Sequence, residues 1–167
     1  MKFKNRIIGA IYGWKHGPEY DSLTGLHTRS YLEYELWSKE SERAKRYVHP
    51  LSIIFLDMDG LKLINDSMGH SGGDRALRGL SAGILRQIRS SDSLIRYGGD
   101  EFLLLLPEID GVQARILMDK IQEHMPKTIR FSFGVAEWRE DSTLAILLQE
   151  ADKELYQEKK GKGVDQK

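Results

Sequence analysis

No cysteine occurs in the 167 residues. That absence excludes a disulfide framework, a thiolate zinc site and a cysteine nucleophile, and it fits a reducing cytoplasm, the expected location. Proline is scarce, and Pro18, Pro50 and Pro126 fall where the apolar patterning breaks. Neither sign of charge prevails: 25 Lys and Arg balance 25 Asp and Glu. A dedicated surface for a nucleic-acid polymer is normally basic, so that partner is not expected, whereas a small nucleotide needs only a local positive site. Long hydrophobic runs are also missing. The stretch Ile7–Trp14 follows Lys2, Lys4 and Arg6, but it is far short of the ~20 residues of a membrane helix and has no cleavage site of a signal peptide. The expectation for it is a strap or surface helix on the domain. A weak interfacial membrane contact is the alternative its basic flank leaves open. No internal repeat or low-complexity segment is found. The length suits one domain with a real core, read as residues 20–162 between an extension (1–19) and a polar tail (163–167).

What the chain does have is acid at the ends of apolar strands. Leu94–Tyr97 and Phe102–Pro107 flank Gly98-Gly99-Asp100-Glu101. Paired glycines between apolar runs predict a β-hairpin, with the glycines supplying a positive φ and close access to the backbone. Adjacent carboxylates at a hairpin tip repel one another unless a cation sits there. A second pair strengthens that reading. Leu51–Leu56 predicts a buried strand ending in Asp57-Met58-Asp59-Gly60, and the period of two puts Asp57 and Asp59 on one face. Such acids can be turn caps facing water, or a hard-oxygen site for Mg²⁺ or Mn²⁺ that also holds substrate phosphates. Two pairs at two strand ends favour the metal.

The coarse pattern places these strands in a fold. A helix is expected over Thr28–Arg46, then the strand 51–57, a short helix through Leu61 and Ile64, and a loop at Gly69–Gly73. A long helix follows from Asp74 to Ile88, with Leu77, Leu80, Ile84 and Ile88 at helical spacing. After the hairpin, Asp110 caps a helix that Pro126 stops. Ile129, Phe131, Phe133 and Val135 alternate with Arg130, Ser132, Gly134 and Ala136, as in a strand with one buried face, and a last helix carries Leu144 to Leu155. The order from residue 51 is βαββαβ. The expected class is therefore α/β (α+β), a ferredoxin-like, polymerase-palm-type sheet flanked by helices, with the helices of that plan on one face. The plan brings Asp57 toward Asp100 and Glu101.

Several motifs in order then match a known family. Asp21-Ser22-Leu23-Thr24-Gly25-Leu26, Asp57–Asp66, Gly69–Asp74, Arg96–Phe102, Phe131–Ala136 and Ala151–Tyr156 follow one another at the spacing of the GGDEF domain of diguanylate cyclases, which the chain resembles from Asp21 to Lys162. The resemblance implies condensation of two GTP to cyclic di-GMP with release of pyrophosphate, each protomer of a homodimer holding one GTP. It implies Mg²⁺ (or Mn²⁺) on Asp57, the Met58 carbonyl and Asp100, with Glu101 a further ligand and Gly98 and Gly99 shaping the catalytic turn. Asp100 is the candidate proton acceptor. Backbone N–H groups of Gly60 and Leu61, with Lys62, Arg96 and Lys159, are implied phosphate or substrate contacts. Asn65 and Asp74 are implied to read guanine, whose N1–H and N2–H donors suit a carboxylate as adenine's edge does not. Each could instead cap a helix. His70 has two open readings, substrate contact or loop brace.

Arg89-Ser90-Ser91-Asp92 stands where the family has its inhibitory product site. An Arg fork can pair with guanine O6 and N7, and the alternative is a helix end followed by a turn. The chain departs from the family pattern at Thr28 (usually Asn), at Leu61 (usually Phe) and in Lys159-Lys160-Gly161-Lys162-Gly163, which is shorter than usual, with Lys162 the loose counterpart of an Arg. The competing function is a non-catalytic cyclic di-GMP receptor, which the intact signature acids disfavour.

Overall fold

Residues 19–140 and 142–164 are described by the computed structural model. The expectations for residues 1–18 and 165–167 lie outside them. A bridge Tyr20↔His27 opens the domain, close to the expected boundary. Strand β1 (His27–Thr28) leads into α1 (Arg29–Tyr31), a π-helical turn (Leu32–Leu36) and α2 (Trp37–Tyr47). Then come β2 (Leu51–Met58), α3 (Leu61–Leu85), β3 (Ser93–Arg96), β4 (Glu101–Pro107), α4 (Gly111–His124), β5 (Phe131–Glu137) and α5 (Leu144–Lys162). The Thr28 side chain caps α1 by accepting from the Tyr31 N–H, and Asp110 and Gln113 form a reciprocal capping box at α4.

The sheet order is β1-β3-β4-β2-β5. From β2 onward this is the expected palm-type plan: two split βαβ units interleave, so that β4 lies between β2 and β3 and β2 lies between β4 and β5. Among the described strands only β1 joins in parallel, against β3.

Both faces of the sheet are covered. Ile54, Leu56, Phe102 and Leu104 pack against Leu80 and Ile84 of α3 and Met118 and Ile121 of α4. Ile53, Phe55, Leu103 and Leu105 pack against Ala44 of α2 and Leu147, Ala151 and Leu155 of α5. The expectation of helices on one face thus holds for α3 and α4, while α2 and α5 add a second layer. This explains why β2 is buried at every position and reads as an unbroken apolar run rather than an alternation. It also corrects the reading of β5. Ser132, Gly134 and Ala136 are buried like Phe131 and Phe133, because α5 lies across them.

The expected loop at 69–73 shrinks to a break at Gly69 (φ 71°, ψ 172°), where two helices, counted together as α3, meet at a kink. Gly72 and Gly73 serve proximity instead. A Cβ on Gly72 would stand 2.5 Å from Met68 Cβ, and one on Gly73 2.1 Å from Asn65 Oδ1.

Gly134 carries the tightest backbone contact. An added Cβ would meet the Ala151 carbonyl oxygen at 1.9 Å and the Leu155 nitrogen at 2.6 Å. Backbone cannot swing aside as a side chain can. Gly134→Ala is therefore expected to cost at least about 2 kcal/mol in urea denaturation. Gly161→Ala, at an exposed helical position with nothing near the new methyl, is expected to gain up to about 1 kcal/mol.

Candidate active site

The β2–β4 ladder delivers the acids. It runs from Leu51↔Pro107 to Asp57↔Glu101, so Asp57 and Glu101 end opposite one another on the same face of the sheet. One step on, the Met58 N–H donates to the Asp100 carbonyl at 3.0 Å. Asp57 is 5% exposed and Asp100 7%, degrees of burial that carboxylates rarely reach without a cationic or hydrogen-bonding partner.

Among the described residues no three His, Cys, Asp or Glu side chains form a closed metal cage. Mg²⁺ asks for less: one or two carboxylates, with waters and substrate phosphates completing its octahedron. Asp57, the Met58 carbonyl and Asp100 are hard-oxygen donors of that kind. The Met58 side chain is buried in the core, so only its backbone oxygen is available for such a role. The cation the structure does supply is the Lys159 ammonium, 2.7 Å from Asp57 Oδ1. Asp59 lies on the same side. It accepts from Ser132 Oγ at 2.9 Å, and Lys162 donates to that same hydroxyl at 3.3 Å. Burial pushes the Asp59 carboxyl above its usual value, against the opposing pull of Ser132 and the two lysines.

The hairpin turn differs from its sequence reading in one respect. Among the described residues the positive-φ glycines are Gly25, Gly60, Gly69 and Gly163, not Gly98 or Gly99. At Gly98 the Glu101 carboxylate folds over the Cα, in the space a Cβ would take. Gly99 has open space around its Cα, which leaves the backbone approachable. The turn closes through Tyr97 N–H and Gly98 N–H, both donating to the Glu101 carbonyl.

The guanidinium of Arg96, a candidate substrate contact, donates to both oxygens of Asp21 (2.9 and 3.0 Å) and to the Gly99 carbonyl (2.8 Å). These bonds tie the turn to the first motif. Asp21 also accepts from the Thr24 N–H and hydroxyl. From the other side, Arg29 lies 4.6 Å over the Tyr97 ring, which meets Phe55 edge-on. Sequence reasoning gave no role to Asp21, Arg29 or Tyr97. The Asp21–Arg96 pair spans 75 positions, and opposite charge in two flanking motifs was its only trace.

Gly60, in the left-handed region at φ 72°, turns the chain from β2 into α3. The first-turn N–H groups of an α-helix have no partner within the helix, and with no side-chain cap at Gly60 the start of α3 is an anion site in kind. Lys62 is exposed beside them. Asn65 lies over Gly73, next in sequence to half-buried Asp74. His70 is exposed just after the Gly69 break. Lys162 donates to the Phe131 carbonyl at 2.9 Å and pairs with Glu158 at 2.6 Å, so it braces β5.

Arg89 and Asp92 stand apart from this group, between α3 and β3. Arg89 is exposed. Asp92 is 0% exposed, and its carboxylate accepts from the Arg89 N–H at 2.7 Å and from Ser91 Oγ at 3.2 Å. The Asp92 carboxylate thus holds the turn that carries Arg89.

Known proteins share this arrangement. The family described as "Diguanylate cyclase, GGDEF domain" matches residues 19–164. Diguanylate cyclase TpbB of Pseudomonas aeruginosa is 37% identical over 153 residues, covering 84% of this chain and 35% of its own length. Diguanylate cyclase DosC of Escherichia coli is 33% identical over 153 residues, covering 85% and 33%. The chain thus spans about a third of the length of these curated relatives. The crystal structure of the GGDEF domain of DgcB from Caulobacter crescentus in complex with c-di-GMP superposes with a TM-score of 0.80 at 25% identity, over 88% of this chain and 93% of that one.

The Asp21 clamp gives a pH signature. Burial raises its carboxyl, but hydrogen bonds from Thr24 and Arg96 outweigh burial and hold it below its ordinary 3.8. A depressed folded value stabilises above the unfolded value, and that stability is lost as pH falls through the folded one. Arg96→Ala is expected to cost about 2 kcal/mol at neutral pH. Its unfolding free energy should then fall less steeply than the wild type's below about pH 4, as measured by urea titrations at several pH values.

Proposed function

The chain belongs to the GGDEF family of diguanylate cyclases, and from that premise we propose that it condenses two GTP into cyclic di-GMP, releasing two pyrophosphates. The observation that carries this reading is the β2–β4 register, which sets Asp57 across from Glu101, and Asp100 beside Met58, at the N-terminus of α3.

In this reading the triphosphate lies against the first turn of α3, where the Gly60–Leu61 backbone and Lys62 meet its β- and γ-phosphates. Asn65 and Asp74 face the guanine edge, and His70 closes that side. Asp57, the Met58 carbonyl and Asp100, with Glu101 adjacent, hold Mg²⁺ or Mn²⁺, which when bound neutralises the triphosphate and acidifies the attacking 3′-hydroxyl. Asp100 takes the 3′-hydroxyl proton. The 3′-oxygen bonds to the α-phosphorus of the second GTP, and the bond from that phosphorus to the pyrophosphate oxygen breaks. The same exchange in the opposite sense closes the ring, so two protomers face one another during turnover. Gly98 seats the Glu101 carboxylate, and Gly99, with open space around it, leaves room for the partner's nucleotide at the turn that Arg96 holds.

Product inhibition is part of the proposal. Arg89, exposed between α3 and β3, offers its fork to guanine O6 and N7 of cyclic di-GMP, and Asp92 fixes the backbone that presents it.

Purified protein incubated with GTP and Mg²⁺ is expected to yield cyclic di-GMP by chromatography, ATP to yield no cyclic dinucleotide, and Asp100→Ala to fall at least about a hundredfold. Absence of product across protein concentrations that populate the dimer would overturn the cyclase reading in favour of a receptor. Gly73→Ala, which pushes Asn65 from its place, is expected to raise KM for GTP about tenfold with little change in kcat. Arg89→Ala is expected to relieve inhibition by added cyclic di-GMP while leaving the initial rate intact, as initial-rate titrations with product would read.

A further inference from the structure

The Lys159–Asp57 pair is the most buried ion pair at the site, with side chains 14% and 7% exposed. We propose that Lys159 is an internal counter-ion that blocks Asp57 against a divalent cation until a triphosphate draws the ammonium away. The inference rests on the reading of Asp57 as a metal ligand and adds an order to it: cation and nucleotide enter together, and the cation does not precede the nucleotide.

The argument starts from charge. Mg²⁺ and Mn²⁺ take carboxylate oxygen at about 2.1 Å, and the ammonium already holds Asp57 Oδ1 at 2.7 Å. Both cations on one carboxylate are like charges a few ångströms apart, in a site too buried for salt to screen. The remaining charges nearby do not relieve the conflict. Glu158 is bound to Lys162, Asp59 is bonded to Ser132, and Glu101 is folded over Gly98. A triphosphate changes the balance, because its oxygens offer Lys159 stronger charge-assisted bonds and its charge attracts the metal.

The fold lets Lys159 move while α5 stays in place. Ala151, Leu155 and Lys159 follow one another at four-residue spacing on the inward side of α5, and the first two are buried in the core. The helix is fastened to β5 by other residues: Glu154 accepts from the Val135 N–H, Glu158 from the Phe133 N–H, and Lys162 donates to the Phe131 carbonyl. Those bonds do not involve Lys159. Its flexible four-carbon stem can therefore exchange partners by rotamer change alone.

The test is binding, with no turnover needed. Mn²⁺ binding to the full chain, followed by electron paramagnetic resonance without nucleotide, is expected to be at least tenfold tighter in Lys159→Gln than in wild type and to vanish in Asp57→Asn. Lys159→Gln is expected to bind a non-hydrolysable GTP analogue at least tenfold more weakly. Equal or weaker Mn²⁺ binding by a folded Lys159→Gln protein would overturn the inference. Should that variant fail to fold, ¹⁵N-lysine spectra of the wild type decide: the Lys159 ammonium signal, assigned by its loss in Lys159→Arg, must shift on adding the analogue without metal, and an unmoved signal overturns the proposal. A chain that shows the Mn²⁺ effect but makes no cyclic di-GMP loses the cyclase reading and keeps this one. A chain that makes product without the effect does the reverse.

Discussion

The antiparallel pairing of β2 with β4 is the constraint on which the rest of the molecule depends. Both strands are buried on both faces, so neither can slip by one residue without turning an apolar set toward the wrong core. The same register that satisfies packing from Leu51↔Pro107 inward sets Asp57 against Glu101 at the other end. Core packing and site geometry are thus one interaction. An apolar ladder holds in place the acids that repel one another at its tip.

Acids held together this way need positive charge, and the fold brings it from distant segments. Lys159 arrives on α5 and meets Asp57. Arg96 leaves β3 and binds Asp21 and the Gly99 carbonyl, fixing the turn on which Asp100 stands. Arg29 caps the Tyr97 ring just before that turn. Each cation is part of a packed layer, so the charge balance of the site is tied to the placement of the helices. A chain with no net charge thus has its positive groups gathered around the acidic strand ends, as the proposed binding of a triphosphate requires.

Much of this was legible in the sequence because it rests on local signals. The apolar run 51–56, the hairpin at Gly98-Gly99 (though not its positive φ), the Asp110 cap and the acids at two strand ends are read from adjacent residues, and the structure has them. What escaped was long-range. Nothing adjacent to Ser132, Gly134 and Ala136 reveals that α5 will cover them, so one buried face was expected where there are two. Gly72 and Gly73 look like loop residues until Met68 and Asn65 are seen packed on them. The bond of Arg96 to Asp21 joins residues 75 positions apart, and only the fold brings them within hydrogen-bond reach. The complete burial of Asp92 and its bond to the Arg89 N–H likewise show only in the structure.

The most direct test of the account is where a nucleotide sits. A crystal structure of the chain with a non-hydrolysable GTP analogue and Mg²⁺ is predicted to show the cation on Asp57, the Met58 carbonyl and Asp100. It should also show the phosphates at the first turn of α3, guanine between Asn65 and Asp74, and Lys159 moved from Asp57 to a phosphate oxygen. A nucleotide bound elsewhere, or bound there with the Lys159–Asp57 pair intact and the metal on other residues, would contradict it.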